Sequence, residues 1–206
     1  MRHMNLQLKW LSAQMGRAAK TYNVIYGGID MFTEMEIKIA NSTSRSNGAS
    51  AKNKDGSIRA IVPRYVAENV DKDECILDFG AGKGAVHTKW LRDEGFNVTA
   101  YDFGENCIEG LHDKNALCRQ YDVVMASNVL NVCSSQQMLE ETLRQIRQSL
   151  KVGGVFVCNY PASPRKLAWR ADDVARMVRS YIGRDIERVG GSASAPLWVI
   201  RKEGHN

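Results

Sequence analysis

Three glycines alternate directly after an apolar run that carries a carboxylate, in Ile76-Leu77-Asp78-Phe79-Gly80-Ala81-Gly82-Lys83-Gly84. A buried strand entering such a turn, followed by a helix, is a device for holding a nucleotide-like ligand. Glycines admit positive φ and close approach of a ligand to the backbone, and the helix behind presents free N–H groups and the positive end of its dipole. Gly80, Ala81 and Gly82 are therefore the expected contact points, with the side chain of Lys83 left in solvent. A second carboxylate, Asp102, closes the apolar run Phe96-Asn97-Val98-Thr99-Ala100-Tyr101. It falls about twenty residues beyond the turn, where a ribose-binding acid belongs, and Phe103 beside it joins the same expected site. Gly80-x-Gly82-x-x-Ala85 also satisfies the dinucleotide fingerprint, so the turn alone leaves two cofactor classes open.

Asp78 chooses between them. A carboxylate two residues before the first glycine repels a pyrophosphate but suits a ligand carrying a cationic amine and a sulfonium, which favours S-adenosylmethionine (SAM) over NAD. With those residues in place the chain resembles the class I SAM-dependent methyltransferases, whose first motif is an acidic residue, any residue, then Gly-x-Gly-x-Gly. The resemblance runs over about residues 71–202 and takes in Asp102, the strand Tyr121-Asp122-Val123-Val124-Met125-Ala126-Ser127 and Gly153-Gly154. It implies a single-domain, Rossmann-like, doubly wound α/β sheet with an antiparallel C-terminal strand, a SAM cofactor and methyl transfer. The run Asn128-Val129-Leu130-Asn131 is more narrowly similar to small methyltransferases of phages and of bacterial DNA-modification gene clusters.

Methyl transfer is an in-line displacement at carbon, so a site for it needs positioning groups rather than a metal or a nucleophilic triad. Loops at the carboxyl ends of the strands build the acceptor side, here 127–134 and 159–164. Asn128 is the candidate there for a catalytic or cofactor contact, with helix capping as its structural alternative. Tyr160 is the candidate for stacking a planar acceptor, with core packing as its alternative. Amino-methylating DNA enzymes of the resembled family carry a polar-Pro-Pro-aromatic motif after this strand, and this chain lacks it. His3, His87, His112 and His205 show no metal spacing. His87 reads as surface and His112 as a base or adenine-pocket residue, while the resemblance implies that Asp113 stands where related proteins contact the adenine amine.

The elements that must hold these residues alternate in the expected order. Strands are expected at 75–79, 97–101, 122–126 and 155–159, with helices at 83–94, 134–150 and 171–181, and a closing pair of strands near 186–189 and 197–201. Residues 102 to 121 leave too little chain for the usual third strand and its helix. Upstream, a helix is expected over 57–70, with Pro63 in its first turn or kinking it, and a loop of small and polar residues over 41–57. Before that, 5–20 reads as a helix, and 22–26 and 35–40 as extended pieces. The domain division is 1–56, an N-terminal cap and flexible loop, and 57–206, the SAM-binding domain.

The chain has 206 residues, 44% of them hydrophobic, enough for one core and no second catalytic domain. Lys and Arg outnumber Asp and Glu by ten to five in residues 1–70 and nine to five in 161–206, whereas the middle carries nine against thirteen. Basic flanks around an acidic cofactor core favour an anionic acceptor, with nucleic acid as the expected partner. Arg45, Lys52, Lys54 and Arg59 upstream, and Arg165, Lys166, Arg170, Arg176 and Arg179 downstream, would form the phosphate-binding rim. A small-molecule or protein acceptor, and a non-catalytic SAM- or nucleotide-binding module, are the alternatives. The five cysteines form no C-x-x-C pair, and no apolar run reaches the roughly 20 residues of a membrane span, so a cytoplasmic protein without a membrane partner is expected.

Overall fold

The computed structural model describes residues 32–43 and 58–204, together with a two-residue antiparallel ribbon, Val24–Ile25 against Gly28–Ile29. Its centre is a six-stranded sheet made of β1 (Cys75–Phe79), β2 (Asn97–Tyr101), β3 (Tyr121–Ala126), β4 (Leu150–Asn159), β5 (Ile186–Ser192) and β6 (Ala195–Arg201), in the order β2-β1-β3-β4-β6-β5. The first four strands are parallel, with Ile76 opposite Val98 and Val123, and β6 runs antiparallel to both β4 and β5. From Ile76 to Phe79 every residue of β1 is buried. A continuous rather than alternating apolar run is the mark of a strand covered on both faces.

The covering helices are α1 (Glu34–Thr43), α2 (Ile61–Asn69), α3 (Val86–Asp93), α4 (Gln136–Ser149) and α5 (Ala171–Tyr181). On one face Leu139, Leu143 and Ile146 of α4, Val174 and Val178 of α5, and Ala40 of α1 share a core with Leu77, Val124 and Phe156. On the other, Val62 and Val66 of α2 and Leu91 of α3 pack on Ile76, Val123, Met125 and Val157. The three α4 side chains repeat at four and three residues and are fully buried. Each contributes about 2 kcal/mol through the apolar area it removes from water. Ser135 caps α4 by accepting the Met138 N–H at 3.0 Å, and Pro63 sits in the first turn of α2, where a missing N–H costs nothing.

Several expectations are corrected. Residues 35–40 are helical rather than extended, and the helix continues through Asn41 to Thr43 into the stretch expected to be loop. A reciprocal cap fixes its start: Thr33 N–H donates to Glu36 Oε2 at 2.8 Å and Glu36 N–H to Thr33 Oγ1 at 3.2 Å. Glu36 also accepts the Ser135 hydroxyl, joining the starts of α1 and α4. β5 runs past the expected 189 to Ser192 and takes in Gly190 and Gly191, with a bulge after Arg188. The expected helix over 5–20 and residues 44–57 lie outside the described residues. Between β2 and β3 only two short 3-10 turns, Gly104–Asn106 and Ala116–Cys118, replace a strand and helix, so β2 is an edge. Its outward carbonyls are occupied: Arg92 Nε donates to Val98 O at 2.8 Å and Asp113 N–H to Ala100 O at 2.9 Å. Among the described residues no helix is long and apolar enough to cross a membrane.

Candidate active site

The glycine turn leaves β1 with Gly80 at φ 74° and Gly82 at φ 72°, conformations that disfavour any side chain. It is fastened to the end of β2. Gly80 and Ala81 N–H both donate to Tyr101 O at 2.9 Å, and Gly82 N–H donates to Asp102 Oδ2 at 2.6 Å. A Cβ on Gly80 would stand 2.7 Å from Val129 Cγ2, so the turn and the loop after β3 touch only because that residue is glycine. His112 closes the arrangement from beneath. Its Nδ1 accepts the Ile108 N–H, leaving the proton on Nε2, which donates to Gly82 O at 3.0 Å.

Asp102 is 6% exposed, and its other oxygen accepts Phe103 N–H at 2.8 Å. Burial raises its pKa, opposed by those two N–H donors. The Asn106 side chain is a further donor to this carboxylate, and its acceptor capacity still exceeds these contacts. Asp78 is deeper, at 1% exposure, and its Oδ2 accepts the Thr88 hydroxyl at 2.7 Å. Desolvation pushes its pKa up to about 6 against that hydrogen bond and the nearby His112.

A cavity of about 340 Å³ opens against this turn, within the size range of small-ligand sites. Gly80, Ala81, Asp102 and Phe103 form one wall, and Ser127, Asn128, Val129 and Asn131 from the loop after β3 form another. Asn41 of α1, Arg59 and His87 also reach it. Three buried side-chain oxygens of residues that line it, Asn41 Oδ1, Ser127 Oγ and Asn131 Oδ1, have no hydrogen-bond partner among the described residues. A buried polar atom left without a partner costs about 1–3 kcal/mol.

The structure thus brings together Gly80, Ala81, Asp102, Phe103 and Asn128, and it keeps Asp78, Gly82 and Tyr160 off the cavity surface. Asn128, at φ 59°, donates its N–H to Asn159 Oδ1 and accepts from Asn159 Nδ2, both at 2.7 Å. This pair ties the ends of β3 and β4 rather than capping a helix. Tyr160 does not stack an acceptor: it is 1% exposed, and the Arg165 guanidinium lies 4.1 Å above its ring centroid. Asp113 is likewise turned away, paired with Arg119.

The expected phosphate rim is also revised. Arg165 donates to the carbonyls of Pro161, Trp169, Tyr160 and Ser194 and so works as an internal brace. Arg176 pairs with Asp173. Arg59 does line the cavity, while Arg45, Lys52 and Lys54 lie outside the described residues. His87, expected at the surface, lines the cavity, and burial lowers its pKa to about 4. Its position in the first turn after the glycines was the available signal. Asn41 carried none, because its stretch read as loop.

The sequence matches the model of a family described as a methyltransferase domain over residues 50–192. The chain belongs to that methyltransferase family. Its sheet is that of SAM-dependent enzymes, and its cofactor is SAM. The methyltransferase is similar to a TehB-like SAM-dependent methyltransferase from Corynebacterium glutamicum, at 16% identity and a TM-score of 0.59 over 81% of this chain and 98% of that one. It is similar also to the 1,6-didemethyltoxoflavin-N1-methyltransferase of Burkholderia thailandensis, at 17% identity and 0.51 over 69% and 77%. A third likeness is to the T. thermophilus 16S rRNA N2 G1207 methyltransferase, at 16% identity and 0.52 over 71% and 40%. None of the curated proteins matches the sequence. The residues of the turn fit the cofactor: Gly80, at positive φ, opens the backbone to the cavity, and the buried carboxylate of Asp102 lines the same space.

Proposed function

We propose that this enzyme methylates a small acceptor held in the cavity beside the glycine turn. When bound, SAM supplies a methyl group activated by a sulfonium. Asp102 would take the ribose hydroxyls through its remaining acceptor capacity, Phe103 would lie against the adenine, and the backbone of Gly80 and Ala81 would meet the methionine portion. Asp78, buried behind the turn, would act on the cationic end through its field rather than by contact. Asn128, with its amide held by Asn159, fixes the loop that separates cofactor from acceptor. Methyl transfer then depends on alignment and on exclusion of water, both of which a walled cavity provides.

One observation carries the preference for a small acceptor. Cofactor wall and acceptor wall share a single cavity of about 340 Å³, whereas Arg165, one of the residues of the expected phosphate-binding rim, is committed to four backbone carbonyls. The similar Burkholderia protein is a 1,6-didemethyltoxoflavin-N1-methyltransferase and the T. thermophilus one a 16S rRNA methyltransferase, so the fold serves both acceptor classes. Radiolabelled SAM offered with DNA, RNA, protein and a deproteinised metabolite extract separates them, and label is expected in the metabolite fraction. A nucleic-acid acceptor is the second reading, favoured by the basic flanks and by Arg59 at the cavity. It requires salt-sensitive binding, with a log–log slope of about −0.7 to −0.9 for each phosphate neutralised.

A further inference from the structure

We propose that α1 completes the cofactor site: Phe32, just before that helix, is a positioning residue that holds the Phe103 ring where the adenine of the cofactor lies. The inference rests on the reading that Phe103 lies against the adenine, and it adds an element outside the family match, which begins at residue 50. Phe32 is 2% exposed, and its ring centroid lies 5.3 Å from that of Phe103 with the planes at 48°. Tilted aromatic rings attract one another over about 4.5–7 Å. Phe103 itself is only partly buried and lines the cavity beside Asp102. It therefore rests on Phe32 while keeping surface on the space where a ligand fits.

The helix is seated on the same stretch of backbone. Gly104, directly after Phe103, takes φ 60°, and a Cβ there would stand 2.7 Å from both Ile37 Cγ2 and Asn41 Nδ2 of α1. A side chain at that position would press α1 away, so the chain after Asp102 and the near face of α1 fit as a pair. Phe32 precedes the Thr33–Glu36 cap and Ile37 follows it, the two positions of a hydrophobic staple; Phe32 belongs to the core that includes Leu77 and Phe156, and Ile37 packs against it. Glu36 adds the bond to the Ser135 hydroxyl at the start of α4. An aromatic wall held in this way is ordered before the ligand arrives, which spares the binding step the cost of fixing it. The contribution of Phe32 to cofactor affinity thus passes through Phe103 and vanishes when that ring is removed.

The test is a double-mutant cycle on the 206-residue chain, read by calorimetric titration with S-adenosylhomocysteine and with adenosine. Phe103→Ala should weaken S-adenosylhomocysteine about fivefold or more through the lost ring contact. Phe32→Ala should weaken it about threefold or more, and adenosine by the same factor, because the effect is exerted at the base. In the Phe103→Ala background the same Phe32→Ala change should alter either affinity by less than about twofold, since residues acting through one contact do not add. Urea denaturation without ligand follows the stability of each variant separately, and Phe32→Leu, which keeps most of the apolar volume, takes the place of Phe32→Ala in the cycle if the alanine variant does not fold. Unchanged S-adenosylhomocysteine affinity on replacing Phe32, or an undiminished loss in the Phe103→Ala background, would overturn the positioning role and leave Phe103 in the cofactor site. Unchanged affinity in Phe103→Ala alone would instead remove Phe103 from that site, and this inference with it.

Discussion

Replacing Asp78 by Asn should stabilise the protein, and by an amount that grows with pH. The carboxyl is fully buried, with its pKa raised from an ordinary 3.8 to about 6, chiefly by desolvation. The folded state therefore holds the proton more tightly than the unfolded chain does. The associated stability is complete below pH 3.8 and is lost as pH rises through about 6. A rise of that size corresponds to about 3 kcal/mol between the protonated and ionised forms. Asn imitates the protonated acid, and its carbonyl can still accept the Thr88 hydroxyl, so Asp78→Asn should lead the wild type by about 1.5 kcal/mol at pH 5 and about 3 kcal/mol at pH 8. Urea denaturation of the two proteins at matched pH values between 5 and 8 reads this difference directly. Matched comparison matters because His87, with its pKa lowered to about 4, pulls the other way: its contribution is present above pH 6.5 and fades as pH falls toward 4. A gap independent of pH, or an Asn variant less stable at pH 8, would refute the assignment of Asp78 as a buried acid held at a cost.

Three further outcomes follow from the site. Asp102→Ala should lower SAM affinity tenfold or more by calorimetry with an unchanged circular dichroism spectrum, because charge-assisted bonds to ribose hydroxyls of about 1.5–3 kcal/mol each are lost. Gly80→Ala places a Cβ 2.7 Å from Val129 Cγ2 at φ 74°, so SAM binding should collapse and stability fall by about 1–3 kcal/mol in a thermal melt. Arg165→Ala should cost about 2–4 kcal/mol in urea denaturation through its lost backbone hydrogen bonds and its place over Tyr160, while Lys166→Ala, on an exposed side chain, should stay within about 0.5 kcal/mol.

The sheet was legible because its strands are buried on both faces and announce themselves as unbroken apolar runs such as Ile76-Leu77 and Val123-Val124-Met125. The glycine turn and Asp102 were legible because backbone conformation and spacing are local properties. Residues 35–40 read as extended for an instructive reason. Met35, Ile37 and Ile39 alternate with polar residues, which mimics a strand, while Thr33 and Glu36 form a capping box that outvotes the alternation. Arg165 and Tyr160 were beyond local reasoning: a guanidinium reads as solvent-facing until the carbonyl of Ser194, supplied by the β5–β6 hairpin, is brought beside it. His87 reads as surface because it lies in the first helical turn after the glycines, and only the packing of the cavity decides which way that turn faces.

The shortened passage from β2 to β3 also governs how this protein behaves toward copies of itself. A sheet that stops one strand early presents an open row of backbone groups, the kind of surface on which a second chain can extend the sheet. Here that row is closed from within, by Arg92 at Val98 O and by the Asp113 amide at Ala100 O. Arg92 belongs to the helix that starts at the cofactor turn, and Asp113 follows the histidine that holds Gly82. The residues that shape the ligand site and those that guard the edge against intermolecular strand addition are thus neighbours on the same two segments. A variant that loosens the turn should therefore expose that edge and raise the protein's tendency to aggregate.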